Sequence, residues 1–169
     1  MVRRISIIIL VFFAVSFGVF AYFQRETVLN WLAPAPQRAI VVLNQEEIYV
    51  EVAKTDFQRA KGLSSRPEME ANHGMLFLFD SPQYYSFWMK EMEFALDILW
   101  IRDGVVVDIT RNIPVPGQDV SLSELKRYSA DEPFDMVLEL NAGYADAHNI
   151  EEGDAVNVIL QSSQEAILI

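Results

Sequence analysis

Cysteine is absent from this 169-residue chain, and histidine occurs only at His73 and His148. The lack of cysteine excludes disulfide bonds, thiolate nucleophiles, zinc–thiolate sites and iron–sulfur clusters. The sequence also lacks a glycine-rich phosphate loop and the histidine spacings that are typical of metal-binding motifs. We therefore expect that the protein binds no metal ion and no cofactor.

Positive charge is also scarce. The chain has 13 Lys and Arg against 24 Asp and Glu, which gives a formal net charge of −11. All acidic residues follow Gln24, whereas Arg3 and Arg4 precede it, so residues 25–169 carry 11 − 24 = −13. A field of this sign repels phosphate backbones. The charge balance therefore argues against nucleic acid as a partner.

The N-terminal segment contains a long apolar run. It extends over 19 residues from Ile5 to Phe23 and is interrupted only by Ser6, Ser16 and Gly18. A helix of this length spans about 28 Å, close to the ~30 Å hydrocarbon core of a bilayer. Two arginines precede the run, which predicts a cytoplasmic N-terminus. Residues 1–24 are therefore predicted to be a single-pass transmembrane signal anchor in the cell (inner) membrane, with a periplasmic or extracellular domain after it.

A cleaved signal peptide is the alternative interpretation of this segment. Ala14-Val15-Ser16 fits the small-x-small pattern of a cleavage site, although apolar residues continue past it. Cleavage would release the domain as a secreted protein. Both interpretations place the domain outside the cytoplasm.

Residues 25–39 are predicted to form a linker, because the prolines in Ala33-Pro34-Ala35-Pro36 favour an extended backbone. The remaining residues, 40–169, are enough for a single β-rich globular domain with an ordinary apolar core. We expect this domain to fold without the N-terminal segment.

Two hairpins are predicted within this domain. The first joins Ile40–Leu43 to Ile48–Ala53. The second joins Leu96–Ile101 to Val105–Thr110 across the turn Arg102-Asp103-Gly104. Both are short-range pairings, so they predict antiparallel neighbours in a sheet.

Two further segments have strand patterns. Gly74–Phe79 is apolar on both faces, which predicts a central buried strand. Phe134–Leu140 alternates, with Asp135 and Glu139 on its polar face. Its pattern predicts a strand with one face toward solvent.

Short helices are predicted at three places. Thr55 and Gln58 form a capping box at the start of Asp56–Lys61, and Ser121–Tyr128 and Tyr144–His148 have helical patterns. The predicted fold is α+β and mostly β. We expect a small, partly open barrel-like sheet with two or three short helices, preceded by one transmembrane helix.

The most distinctive motifs begin at Arg59. They are Arg59-x-x-Gly62-Leu63, Gly74-Met75 with Phe77 and Phe79, Phe87-Trp88-Met89-Lys90, Leu96-Asp97, Val137-Leu138-Glu139, Ala142-Gly143 and Gly153-Asp154. In these motifs the sequence resembles the uncharacterised "domain of unknown function 192" family, over roughly residues 48–158. The resemblance implies a compact β-rich fold and agrees with an export signal or anchor. It implies no established activity.

Asp97 is the residue that most needs an explanation, because it lies within the apolar strand Leu96–Ile101. A buried carboxylate is normally paired with a cation or shifted toward its neutral form. Arg59, Arg66 and Lys90 are the candidate partners. The pairing would be either a structural ion pair or part of a pocket in which these cations receive a small anionic ligand. The candidate ligand-binding residues are Arg59, Arg66, His73, Trp88, Lys90 and Asp97.

Two functions are compatible with these observations. One is a membrane-tethered, non-enzymatic binding or accessory module of the cell envelope, with a small anionic ligand or an envelope protein as partner. The alternative is an envelope hydrolase or transferase that uses Asp97 with His73 or an arginine. The first is favoured because no motif in the sequence pairs a nucleophile with a base.

Overall fold

Nine β-strands and two short helices form the part of the chain that the computed structural model describes, residues 36–117 and 119–161. The strands are β1 (Gln37–Leu43), β2 (Glu46–Ala53), β3 (His73–Gln83), β4 (Phe87–Trp88), β5 (Leu96–Arg102), β6 (Val105–Ile113), β7 (Arg127–Tyr128), β8 (Phe134–Asn141) and β9 (Asn157–Leu160). The helices are α1 (Asp56–Lys61) and α2 (Tyr144–Ala147).

The predicted transmembrane segment, residues 1–24, lies outside these described ranges, as does most of the predicted linker. β1 begins at Gln37, so the last three residues of that linker belong to the sheet. No helix within the described ranges has both the length and the apolar character needed to cross a membrane.

Seven strands form one mixed sheet in the order β6-β5-β8-β3-β2-β1-β9. β2 and β3 are parallel, and the other neighbours are antiparallel. β3 is the fourth of the seven strands, which confirms the prediction of a central strand over Gly74–Phe79. β4 and β7 form a separate two-stranded sheet.

Both predicted hairpins are confirmed, and each closes through two residues with positive φ. Asn44 and Gln45 have φ values of 51° and 70°, and Asp103 and Gly104 have φ values of 51° and 76°. Two left-handed residues give the turn geometry that matches the right-handed twist of paired strands. The first turn is shorter than the predicted Asn44–Glu47 loop, because pairing extends to Glu46.

The predicted partly open, barrel-like sheet is confirmed only in part: the domain is mostly β, but its sheet is open and does not close into a barrel. One edge strand, β6, contacts the segment that precedes β9, where Val105 bridges Ala155 and the Val106 amide donates to the Asp154 carbonyl at 3.0 Å. The chain then turns away from β6, and β9 pairs with β1 instead. The outer edges therefore lack the continuous ladder that a barrel requires.

Two of the predicted helices are confirmed. The capping box at α1 is present: the Gln58 amide donates to Thr55 Oγ1 at 3.2 Å, and the Thr55 amide donates to Gln58 Oε1 at 3.1 Å. α2 also lies where it was predicted. The Ser121–Tyr128 helix was wrong, because this segment forms turns and then β7, which pairs with β4. Tertiary pairing here overrides the local capping signal of Ser121.

The main sheet is covered by apolar side chains on both faces. One face is mainly aliphatic and packs against α2, with members such as Val41, Ile48, Leu76, Leu99 and Leu138. The other face is rich in aromatic side chains and methionine, with members such as Met75, Phe77, Met89, Trp100 and Phe134. We call these the aliphatic face and the aromatic face. Covering of both faces explains why a strand with alternating polarity, β8, is largely buried.

Candidate functional site

A groove of about 360 Å³ lies on the aromatic face, between α1, the middle of β3 and the segment that contains β4. Its apolar wall consists of Leu63, Phe77, Phe79, Tyr85, Phe87, Trp88 and Met92. Its polar side chains include Asp56, Arg59, Lys61 and Glu139. We refer to this site as the aromatic groove.

The aromatic wall is fixed by ring packing. Phe79 stacks on Tyr85 with 3.9 Å between ring centroids and 16° between ring planes. Phe77 and Phe87 form an edge-to-face pair at 5.0 Å, and Phe87 contacts the buried Trp100 in the same manner at 5.5 Å. Such pairs add stability beyond their buried area and restrict ring orientation. The wall is therefore largely preformed.

Glu139 is the buried acid of the groove. It lies on β8 opposite Met75 of β3 and Ile98 of β5, both of which are buried on the aromatic face. Only 6% of the residue is exposed. Loss of solvation raises the pKa of its carboxyl group to about 8, and within the described residues no hydrogen bond or neighbouring cation offsets this rise. Glu139 is therefore mainly protonated at neutral pH.

Gly74 sets the distance between β3 and β8 at this point. A Cβ atom at residue 74 would lie 2.7 Å from the Glu139 carbonyl oxygen and 2.9 Å from Leu140 Cδ2. The carbonyl belongs to the backbone of the central sheet and cannot move aside. Gly74 thus permits β3 and β8 to approach each other closely next to Glu139.

Two of the predicted candidates, Arg59 and Trp88, line the aromatic groove. Arg59 Nη1 donates to the carbonyls of Lys54 and Leu78, both at 2.8 Å, and Nη2 donates to Asp56 Oδ1 at 2.6 Å. The same guanidinium lies 5.1 Å from the centroid of Phe79. Its donors are thus directed at groups within the protein.

Trp88 lies at the other side of the groove, where it is 37% exposed. The guanidinium of Arg127, on the paired strand β7, lies 3.6 Å from the centroid of its ring. Contact of this kind is a cation–π interaction. Aromatic rings on both sides of the groove therefore already contact cations.

The predicted ion pair of Asp97 with Arg59, Arg66 or Lys90 was wrong. Asp97 is fully buried on the aliphatic face, where Oδ1 accepts from the Asn112 amide at 2.7 Å and Oδ2 accepts from the Ala145 amide at 2.9 Å. Ala145 lies in the first turn of α2, whose amides have no partner within the helix. Backbone donors satisfy this carboxylate, so it needs no cation.

The placement of Asp97 also weighs against the enzyme hypothesis that uses it. Neither oxygen faces the solvent, and each already accepts a backbone hydrogen bond. His73 lies at the start of β3, where its Nδ1 is 3.0 Å from Asn72 Oδ1 and its ring contacts Tyr49 at 5.7 Å. No contact joins it to Asp97 among the described residues.

The remaining candidates lie elsewhere. Arg66 donates both terminal nitrogens to the Glu51 carboxylate, at 2.7 and 2.8 Å, and lines a second surface groove together with His73. The hydrogen bond from Arg66 is the main reason that the pKa of Glu51 is lowered. Lys90 lies 3.4 Å from Glu91. The six candidate residues therefore do not form one site.

Glu139 was missed by the sequence analysis, which placed it on a solvent-facing side of the strand. The signal that was available is the same as for Asp97. Glu139 is an acid between two leucines, Leu138 and Leu140, in an apolar strand. Within the described residues, no group of three His, Asp or Glu side chains is arranged to hold a metal ion.

These features define a class of protein, a small domain with one mixed sheet. The aliphatic face of the sheet packs against α2, and the aromatic face contains a groove. The chain belongs to DUF192, a family described as an uncharacterized ACR, whose model matches residues 39–158. This confirms the predicted resemblance. Eight of the residues that carry it line the aromatic groove, namely Arg59, Gly62, Leu63, Phe77, Phe79, Phe87, Trp88 and Glu139.

Two solved structures are similar to this chain. One is described as a putative transcription regulator from Sinorhizobium meliloti, with 32% identity, a TM-score of 0.62, and coverage of 73% of this chain and 94% of that one. The other is a protein of unknown function from Novosphingobium aromaticivorans, with 29% identity, a TM-score of 0.60, and coverage of 74% and 94%. No curated protein matches the chain.

Proposed function

We propose that this domain is a non-enzymatic binding module and that the aromatic groove receives a small molecule. The observation that carries the proposal is Glu139, a largely buried residue in the lining of an open groove, whose carboxyl group has no ion pair or hydrogen bond with the other side chains that the structure describes. A buried carboxyl group normally has hydrogen bonds or an opposite charge, because its desolvation is otherwise uncompensated. A ligand would supply that missing partner.

The size and composition of the groove support this proposal. Its volume of about 360 Å³ is at the lower end of the range for small-molecule sites. Such sites typically combine apolar walls with a few polar groups that orient the ligand. Here the rings of Phe77, Phe79 and Phe87 would give contact area, and Glu139 would fix orientation.

The described lining of the groove favours binding over catalysis. It contains no histidine, and Ser64 donates its hydroxyl to the Lys90 carbonyl at 2.8 Å rather than to a base. Nucleophilic catalysis requires a nucleophile within hydrogen-bond reach of an activating group. This arrangement supports the binding module over the hydrolase or transferase.

A membrane tether remains part of the proposal. The apolar run Ile5–Phe23 supports an anchor that holds the domain outside the cytoplasm, with secretion after cleavage as the other outcome. The solved relatives support a domain that folds alone, because the matched region makes up 94% of each of their chains.

The binding proposal can be tested with a groove-filling variant. Ala60 is exposed and lines the groove, so Ala60→Trp should occupy the mouth. Ala71→Trp is the matched control, because Ala71 is exposed and is not part of the groove lining. A thermal-shift screen of small organic compounds should give hits with the parent chain and Ala71→Trp that are lost with Ala60→Trp. Hits that survive Ala60→Trp would contradict the proposed site.

The tether can be tested separately. A reporter that is active only outside the cytoplasm, fused after Ile169, should be active and should remain with the membrane after alkaline extraction. Activity in the soluble exported fraction would indicate cleavage. An inactive reporter would contradict export.

A further inference from the structure

We propose that the ligand of the aromatic groove is an organic cation whose substituted ammonium group is held by the Glu139 carboxylate and the surrounding aromatic rings. This inference rests on the proposed function and specifies its ligand class. It replaces the anionic ligand expected from sequence, because the structure engages the cations on which that expectation depended.

Glu139 has no counter-charge among the residues that the structure describes. Arg59, one of the two cations in the groove lining, donates to Asp56 and to two backbone carbonyls. Burial is the sole cause that raises the pKa of Glu139, so neither Arg59 nor Lys61 compensates its charge. A ligand that brings a positive charge would supply what the lining does not.

The aromatic wall of the groove also favours a cationic ligand. Aromatic faces attract cations, and the effect is larger for desolvated cations. The groove already has two such contacts made by the protein itself, Arg59 with Phe79 and Arg127 with Trp88. A groove lined by both an acid and aromatic rings is the arrangement that suits an alkylated ammonium group.

The charge of the whole chain favours a cationic ligand as well. A net charge of −11 creates a field that attracts small cations and repels small anions. This field would attract a cation toward the protein, and Glu139 would then hold the cation in the groove. Both favour the same sign of ligand.

Binding of a cation requires that Glu139 lose its proton. The carboxylic acid gives a carboxylate and a released proton, and the carboxylate then pairs with the ammonium group. Affinity should therefore rise about tenfold per pH unit while Glu139 is protonated, and level off above pH 8. The other ionisable side chains in the groove lining are Asp56, Arg59 and Lys61 of α1, and Tyr85.

Titration calorimetry of the full chain in a non-ionic detergent can test this inference. The two probes are choline, which is permanently charged, and 3,3-dimethylbutan-1-ol, its neutral isostere, each measured at pH 6, 7, 8 and 9. We expect choline to bind more tightly as the pH rises to 8, with release of up to one proton at pH 7. The neutral isostere should bind roughly tenfold more weakly or not at all at pH 8.

Glu139→Gln should weaken choline binding roughly tenfold or more at pH 8 and remove its pH dependence. Gln has the shape of the protonated acid, so the variant should fold, and a thermal melt checks this. Glu152→Gln is the matched control, because Glu152 is exposed in the loop before β9. Glu152→Gln should leave choline binding unchanged. It tests whether the loss of one negative charge elsewhere on the chain is enough to weaken choline binding.

The outcomes separate this inference from the proposed function. Preferential binding of the neutral isostere, with affinity that falls above pH 8, would overturn the cation and leave the groove as a binding site. Absence of binding by both probes would also overturn the cation, and the screen with Ala60→Trp would then decide the proposed function independently. Choline binding that is equal in the parent and Glu139→Gln would overturn the role of Glu139.

Discussion

The aliphatic and aromatic faces each contain one buried carboxyl group, and the surroundings of the two groups are opposite. Asp97 on β5 lies opposite Leu140, and its neighbour Ile98 lies opposite Glu139 on β8, so the two acids are close in the sheet but face opposite sides. Asp97 accepts two backbone hydrogen bonds, whereas Glu139 has no compensating partner. Burial alone therefore does not distinguish a structural acid from a functional one. The hydrogen-bond partners of the carboxyl group make that distinction.

A third acid completes this comparison. Glu51 on β2 lies opposite Met75, on the aromatic face, and its carboxylate is held by both terminal nitrogens of Arg66. Backbone amides thus stabilise Asp97 and a guanidinium group stabilises Glu51, whereas no described side chain compensates Glu139. Unfolding measurements on variants of these acids and of their neighbours can test this contrast.

Asp97→Ala should have the largest effect. It leaves the amides of Asn112 and Ala145 without an acceptor, and each unsatisfied buried donor costs about 1–3 kcal/mol. We expect a loss of about 2–6 kcal/mol from a total stability of about 5–15 kcal/mol. Urea unfolding beside the parent measures this loss. A change below about 0.5 kcal/mol, the scale of surface substitutions, would refute the structural role.

The pH dependence of stability should report Glu139. Its pKa is about 8 in the folded chain and near its ordinary value of 4.5 in the unfolded chain, so between these values only the folded chain keeps the proton. The free energy of unfolding should therefore fall as the pH rises from about 5 to 8, by up to a few kcal/mol, and level off above 8.

Glu139→Gln isolates this contribution, because the amide does not titrate. Its free energy of unfolding should lack the downward slope between pH 5 and 8, so the variant should exceed the parent in stability at pH 8 and match it near pH 5. Urea titrations of both chains at several pH values give the difference. Parallel curves for the two chains would contradict an uncompensated Glu139.

Gly74→Ala tests how tightly the sheet holds Glu139. The added Cβ would contact the Glu139 carbonyl oxygen at 2.7 Å, so the strands must separate. Overpacking of this kind costs about 1–3 kcal/mol. Thermal or urea unfolding measures it. Gly153→Ala is a useful comparison, since no atom lies within 4 Å of its Cβ position and only its φ of +95° is unfavourable.

Removal of the Arg66–Glu51 pair should have the smallest effect. Both side chains are about one third exposed, so water compensates most of the loss. A double-mutant cycle with Arg66→Gln and Glu51→Gln should give a coupling below about 1 kcal/mol that decreases in high salt. A coupling as large as the Asp97 effect would remove the distinction between a fully buried acid and a partly exposed ion pair.

Local signals in the sequence were enough to predict several elements. The hairpin turn at Asp103-Gly104 and the capping box of Thr55 and Gln58 are encoded by neighbouring residues, and both are confirmed. The central strand was predictable from an apolar run on both faces. Such features need no knowledge of distant contacts.

The errors concern long-range partners. The carboxylate of Asp97 is satisfied by amides 15 and 48 positions away, and no local pattern points to backbone donors at that distance. Burial of Glu139 depends on the aromatic segment that covers the second face of β8. Pairing of Tyr128 and Arg127 with β4 is equally remote, and it displaced the predicted helix.

The position of β8 has a consequence for how the chain folds. β8 lies between β3 and β5 in the sheet, yet it follows both of them in sequence. Before β8 docks, the described pairings leave the β5–β6 hairpin without a ladder to β3. Pairing between distant segments is slow, because loop closure precedes the contacts that compensate it. Completion of the sheet should therefore be a late kinetic step, and it is the same step that transfers the Glu139 carboxyl group out of water.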